Sequence, residues 1–292
     1  MPKRLLGSIY LAVAASIWGG MFVAVKIAVV YIPPIPLVWM RFLIAIIVLM
    51  GVVLYQHKSL KVNRKDLLLL IGVGVLGHTI SIVTQEYGTM YSTAQMGSVI
   101  TSATPAFMLI FAVWLLKEKM TLRKILSIIL ATIGVILIAG VDNVDTSKQL
   151  GALFSTIAAL TWGLMSVMLK LVPSRYSPLI VNIYAVITAI ICLTPLNLPT
   201  VEQLPWDKIL NSPEVIFSVI YMGAISTSIA FLLWNKGLLL MDAGSSGLFF
   251  FFQPVVGTLL GWLILDEQVT LSFWLGSALV FIGVFLVTVK NA

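Results

Sequence analysis

The chain has 292 residues, 60% of them hydrophobic and only 10% charged, with a formal net charge of +7. A soluble domain carries roughly 25% charged residues, so this composition excludes a water-solvated globule. A mean hydropathy of +1.08 points instead to a polytopic membrane protein. The single cysteine, Cys192, excludes an internal disulfide and a thiolate metal cluster, and no cofactor is expected.

A helix needs about 20 apolar residues to cross a hydrocarbon core ~30 Å thick. Backbone groups in lipid have to be satisfied within the segment, so spans are expected to be helices. The first is 7–30, longer than the apolar stretch of about 7–15 residues in a signal peptide, with Trp18, Phe22 and Lys26 on one face. The second, 36–55, carries Arg41. The third, 67–87, holds His78, Ser81 and Gln85 at helical spacing and the acid Glu86. The fourth, 93–116, carries Gln95, Ser98, Thr101, Ser102 and a central Pro105, and the fifth is 122–140. The sixth, 150–171, repeats a tryptophan-to-lysine face with Trp162, Ser166 and Lys170. The seventh is 177–197, and the eighth, 214–240, carries Trp234 and Asn235. The ninth, 244–265, carries Gly244, Ser245, Ser246, Gly247, Gln253 and a central Pro254, and the tenth is 271–289. A proline inside a helix frees a carbonyl and kinks it, so Pro105 and Pro254 are expected kinks.

If the spans alternate, Lys3, Arg4, Lys58, Lys61, Arg64, Lys65, Lys117, Lys119, Arg123, Lys124, Arg175 and Lys290 share one side. The other side mixes Lys148 and Lys208 with Asp142, Asp145, Glu202 and Asp207. The positive-inside rule then puts both termini in the cytoplasm, and the basic charge reports orientation, not nucleic-acid binding.

The chain repeats itself. "SIWGGMFVAVK" (16–26) returns as "LTWGLMSVMLK" (160–170), with Trp18 and Trp162, and Lys26 and Lys170, each 144 positions apart. "SATPAFMLIFAVWLLKEKMTL" (102–122) lies over "FFQPVVGTLLGWLILDEQVTL" (251–271). Pro105 with Pro254, Glu118 with Glu267, Thr121 with Thr270 and Gly134 with Gly283 are each 149 apart. The expected fold is therefore all-α, ten transmembrane helices in two five-helix repeats, 1–145 and 146–292. Five is odd, so the halves enter the membrane from opposite sides. Lys117-Glu118-Lys119 accordingly becomes Asp266-Glu267-Gln268. Inverted repeats are a mark of secondary transporters, with the site between the halves near the midplane.

The paired Trp-Gly…Lys phrases, and the paired Pro…Glu-x-x-Thr-Leu runs ahead of Gly134 and Gly283, resemble the drug/metabolite transporter superfamily and its ten-helix EamA branch. The resemblance covers essentially the whole chain. It implies a basket-shaped bundle around a central cavity lined mainly by helices 1, 3, 4, 6, 8 and 9, with helices 5 and 10 at the periphery. It also implies export of amino acids or other small metabolites across a bacterial inner membrane. In the aromatic amino acid exporters of this branch a histidine midway along helix 3 and tryptophans on helices 1 and 6 surround the cavity, and His78, Trp18 and Trp162 match those positions. Helix 4 offers Ser98 and Thr101 where further aromatic positions would be.

Polar groups at mid-membrane are costly and face a cavity or a partner. His78 either binds a polar substrate or senses protons, or bonds to a neighbouring helix. Trp18 and Trp162 stack on a ligand or fill wedges between helices. Lys26 and Lys170 sit at opposite mouths, where they snorkel or serve as alternate gates. Arg41 and Lys26 both lie at a depth similar to that of Glu86, so an ion pair at the outer end is expected, as a gate, a proton-coupling site or a static contact; Arg41 aligns with Ile183 and Glu86 with Asn235, so the pair is not duplicated. Ser81, Gln85, Thr101, Trp234 and Gln253 complete the candidate lining. An enzyme would need converging acids, a Ser-His pair or metal ligands, and the chain has two histidines and a single acid inside a span. The preferred reading is a secondary exporter of amino acids or related metabolites by alternating access. Exporters of purines, flavins or neutral drugs, and a lipid flippase or channel of similar build, remain the alternatives. The expected partners are a small-molecule substrate and the lipid bilayer; oligomeric state is open, a homodimer included.

Overall fold

A computed structural model describes residues 3–117, 119–139, 145–240, 249–250 and 252–288. Glu118, Asp142, Lys290 and the Gly244–Gly247 run lie outside the described residues, as does the side chain of Asn235. All regular structure among the described residues is helical. We number the long helices α1 (Lys3–Ala28), α2 (Pro34–Tyr55), α3 (Arg64–Tyr91), α4 (Ala94–Leu116), α5 (Leu122–Ala139), α6 (Thr146–Leu169), α7 (Pro178–Val201), α8 (Pro213–Ile220 continued through Ala230–Leu240), α9 (Phe252–Leu265) and α10 (Leu271–Thr288). A short helix, Trp206–Leu210, joins α7 to α8. Seven of these, α1–α4 and α6–α8, are long and apolar enough to cross a membrane.

The starts of the helices follow from local chemistry. Asn63 accepts from the Lys65 amide at 3.2 Å, Thr93 from the Met96 amide at 3.0 Å and Asp145 from the Ser147 amide at 3.1 Å, each satisfying a first-turn donor. Pro34, Pro178 and Pro213 open α2, α7 and α8, where a missing N–H costs nothing. Pro105 falls at a break between two helical segments of α4. It sits in the first turn of Thr104–Leu116, after a break at Ser102 and Ala103, and the Thr104 hydroxyl donates to the Thr101 carbonyl at 2.7 Å. Pro254 lies in the first turn of the described part of α9, and most of the run that precedes it lies outside the described residues.

Two features were not expected. α3 and α8 each pass through a π-helical stretch, Gly74–Ser81 and Tyr221–Ile229. Such wide turns free backbone carbonyls and often mark functional sites. Lys117 and Asp266, 149 positions apart, both take the left-handed conformation, with φ of 53° and 52°. These non-glycine residues turn the chain sharply at the ends of α4 and α9.

Contacts fix the alternation of the helices. Ser147 at the start of α6 donates to the Tyr91 carbonyl at the end of α3, at 2.9 Å. Arg175, between α6 and α7, pairs with Asp66 at the start of α3, which also accepts from the Tyr176 hydroxyl at 2.7 Å. We refer to the end with the α3–α4 junction and to the opposite end, where Asp66 and Arg175 meet. α5 and α10 pack on each other backbone to backbone: a Cβ on Gly134 would lie 2.6 Å from the Gly276 carbonyl, and one on Gly283 2.9 Å from the Ser127 carbonyl.

Gly134→Val is therefore expected to cost about 1–3 kcal/mol by overpacking. Gly51→Ala, where a Cβ meets nothing within 4 Å, is expected to be neutral or to stabilise by up to ~1 kcal/mol through helix propensity. Thermal unfolding in detergent followed by tryptophan fluorescence separates the two.

Candidate functional site: a central aromatic cavity

A cavity of about 470 Å³, counting its open mouth, lies between the helices. Its wall takes Trp18 and Met21 from α1, Ile82 and Gln85 from α3, and Thr101 and Thr104 from α4. Ala158, Ala159 and Trp162 come from α6, Phe231 from α8, Gln253 from α9, and Phe250 precedes α9. The helices 1, 3, 4, 6, 8 and 9 of the expected lining all contribute. α2 adds Arg41, the one formal charge among the described lining residues.

The aromatic part is a continuous cluster. Trp18 meets Phe231 edge-on at 5.3 Å and Trp234 at 5.2 Å, and Trp234 meets Phe250 at 4.5 Å. Trp162 lies 5.8 Å from Phe231 on the other side. Large rings lose few rotatable bonds on ordering and offer faces for apolar or cationic groups. Trp18 Nε1 donates to the Ser226 carbonyl at 3.1 Å, inside the π stretch of α8, which fixes the ring. Trp234 stands behind Trp18 and is not itself a lining residue.

His78 lies behind the wall. It is 4% exposed, stacks near Phe42, Trp162 and Phe231, and its Nε2 is 2.9 Å from Asn182 Oδ1 on α7. Its Nδ1 and the Asn182 amide nitrogen have no partner among the described residues. Ser81 donates to the Ala158 carbonyl at 2.8 Å. Thr101 donates to the Gly97 carbonyl at 2.8 Å, and Gln253 Nε2 approaches the Thr101 hydroxyl at 3.5 Å. Gln85, whose amide nitrogen is 4.0 Å from Met21 Sδ, keeps its polar capacity for the cavity.

Charges occupy three places. Arg41 is 1% exposed and Glu86 0%, with Nη1 to Oε1 at 3.2 Å, and Arg41 Nε donates to Thr227 on α8 at 2.6 Å. Glu86 Oε2 has no partner among the described residues. Lys26 turns inward at the α3–α4 end: its ammonium donates to the carbonyls of Thr89 at 3.1 Å, Met90 at 3.0 Å and Ser92, the last turn of α3. Glu267, after α9, accepts from the Ala94 amide at 2.7 Å and the Gln95 amide at 3.0 Å, the first turn of α4. A cation on carbonyl ends and an anion on amide ends each match the helix dipole. Lys170, by contrast, is exposed at the opposite end.

Asn182, Thr227, Met21, Phe231, Phe250 and Glu267 were missed as site residues. Asn182 and Thr227 carried a usable signal, since each is a polar residue inside an apolar span. The partners of Lys26 and Glu267 are backbone groups, which no residue type announces.

Arg41→Gln would leave the Glu86 carboxylate buried without its cation. It is expected to cost about 3–5 kcal/mol, and the double variant Arg41→Gln/Glu86→Gln clearly less. Thermal unfolding of both variants beside the wild type reads this order directly.

The EamA-like transporter family matches the chain twice, over residues 5–140 and 149–289. An uncharacterized transporter of Archaeoglobus fulgidus is 30% identical over 283 residues, covering 97% of this chain and 99% of its own. YoaV, an uncharacterized transporter of Bacillus subtilis, is 28% identical over 298 residues, covering 99% and 97%. A solved crystal structure superposes with a TM-score of 0.66 at 18% identity, over 96% of this chain and 95% of that one, a likeness of fold. With the bundle, the cavity and both halves matched in this way, the chain belongs to the EamA-like transporter family of multi-pass membrane proteins.

Proposed function

We propose that the chain is a secondary transporter exporting amino acids or related small metabolites across a bacterial inner membrane by alternating access. Ten transmembrane helices form two inverted repeats, 1–145 and 146–292, with both termini cytoplasmic. The observation that carries this reading is the cavity itself: an aromatic, nearly uncharged chamber whose wall draws on both halves. Inverted-repeat transporters hold their substrate at such a place.

Several local features support the repeat. The π stretches recur in α3 and α8, and left-handed residues recur at Lys117 and Asp266. Gly134 packs on Gly276 as Gly283 packs on Ser127. Gly74 of α3 approaches Ala185 of α7, and Gly223 of α8 approaches Arg41 and Ile44 of α2. Each relation exchanges the halves, as a two-fold axis in the membrane plane would.

Gating follows from the same symmetry. Lys26 and Glu267 pin the two sides of the α3–α4 junction, and in this reading that end is the closed one. Lys170, the repeat partner of Lys26, is exposed at the other end. In the account proposed, the two lysines close the two mouths in turn, each by capturing the last carbonyls of a cavity helix. Rocking of the halves then exchanges one closed end for the other around a fixed site.

Counterflow in proteoliposomes tests the function. Vesicles preloaded with an unlabelled amino acid are expected to accumulate the labelled one transiently and saturably. Linear, non-saturating flux would make the protein a channel, and no exchange across amino acids, purines and flavins would refute transport. The gate has its own test in a Cys192→Ser background with Thr101→Cys. Lys26→Met is expected to raise labelling of that cysteine several-fold by an impermeant maleimide applied from the α3–α4 end. Unchanged labelling would leave Lys26 a static helix cap.

A further inference from the structure

The Arg41–Glu86 pair is not needed to close either end, and it is costly to bury. It makes poor use of its own charges. A guanidinium carries five N–H donors in a fork suited to two carboxylate oxygens at once. Arg41 spends one on Thr227 at 2.6 Å and one on a single Glu86 oxygen at 3.2 Å. Its Nη2 has no hydrogen-bond partner among the described residues, and Arg41 lines the cavity. Glu86 Oε2 is fully buried and has no partner among the described residues, and Glu86 lies behind Arg41, outside the cavity lining. Each charged group therefore has hydrogen-bonding capacity to spare, and Arg41 is the one that borders the chamber.

We propose, building on the transporter reading above, that Arg41 and Glu86 form a split ion pair that selects zwitterions. The substrate carboxylate takes the open fork of Arg41, and its ammonium takes the Glu86 oxygen so released. The physical reason is electroneutrality. The empty site holds one positive and one negative charge, and net charge in a low-dielectric chamber is expensive. A zwitterion adds nothing to the sum and lets four charges alternate in sign. A monoanion would leave the site one charge negative, and a monocation one charge positive. Thr227, from the π stretch of α8, holds the guanidinium in place while its partner is exchanged. The remainder of the ligand meets Trp18, Trp162, Phe231 and Phe250, which suits an apolar side chain. Arg41 and Glu86 would then be the residues that separate an amino acid from a neutral drug, an organic acid or an amine of the same shape.

The test is equilibrium binding, read as ligand-induced thermal stabilisation of the full-length protein in lipid nanodiscs. Three matched sets serve as probes: leucine, phenylalanine and tryptophan, each beside its deaminated carboxylic acid and its decarboxylated amine. In the wild type at least one amino acid is expected to bind roughly tenfold or more tightly than its acid and its amine, the effect of one extra ionic contact. Glu86→Gln removes the negative charge, so the empty site becomes positive. The deaminated acid should now bind best, and the preference should reverse. Arg41→Gln/Glu86→Gln keeps the site neutral without the fork and should bind all three members of a set alike. Equal binding of acid, amine and amino acid by the wild type, an unreversed preference in Glu86→Gln, or no binding in any set would overturn the proposal. Counterflow in the same preparations keeps the two readings apart. Selective binding without exchange would leave the zwitterion site standing and remove the transporter, whereas purine or flavin exchange without amino acid binding would do the opposite.

Discussion

A charge carried into hydrocarbon has to find its compensation inside the protein, because no water is there to supply it. This chain places four such charges in its upper half, and each has a distinct solution. Lys26 takes the carbonyls at the end of α3, Glu267 the amides at the start of α4, and Arg41 and Glu86 take each other. Two of the four, Lys26 and Glu267, act directly on one connection, so the α3–α4 junction is held by α1 and by the turn after α9. Glu86 lies about 7–8 Å along α3 from its end at Tyr91, where it meets Arg41 of α2 instead. In the proposed account this end is held by electrostatic capture of helix ends, a contact that can break and re-form more readily than an interdigitated apolar core.

Below that junction the packing changes character. α5 and α10 meet through glycines and leave no room between them, while the helices around the cavity meet through rings. The π stretches of α3 and α8 lie among the helices around the cavity, Gly74–Ser81 against α6 and α7 and Tyr221–Ile229 against α1 and α2. Each presents a polar residue to a helix of the opposite half: His78 to Asn182 on α7, and Thr227 to Arg41 on α2. These bonds tie the halves together beside the cavity, where the proposed rocking motion would have its pivot. His78 takes part in that tie through Asn182, one layer behind the aromatic wall.

Much of this was legible in the residues. The spans follow from apolar length, and their ends fall within a few positions of the helices wherever those are described. An ion pair of Glu86 with Arg41 or Lys26 was foreseeable from charges at matching depth; that Arg41 takes it while Lys26 goes to backbone carbonyls was not. Other parts were not legible, for physical reasons. His78, Ser81 and Gln85 share one face at 3.6 residues per turn, yet they reach three different neighbours, on α7, α6 and α1. The π stretch widens the turn and rotates the register, and nothing in "GVLGHTIS" declares it. Lys26 reads as a snorkelling residue from its position alone, because its true partners are carbonyls. Arg41 on the cavity wall depends on how far α2 leans in, a tertiary fact.

The measurement that bears most directly on alternating access is a pair of distances recorded together in nanodiscs by double electron–electron resonance. In the Cys192→Ser background, spin labels at Val30 and Gln268 report the α3–α4 end, and labels at Leu171 and Met120 report the opposite end. The account predicts that Lys26→Met lengthens the Val30–Gln268 distance and shortens the Leu171–Met120 distance in the same population. Distances that stay fixed, or that change in the same direction, would contradict it.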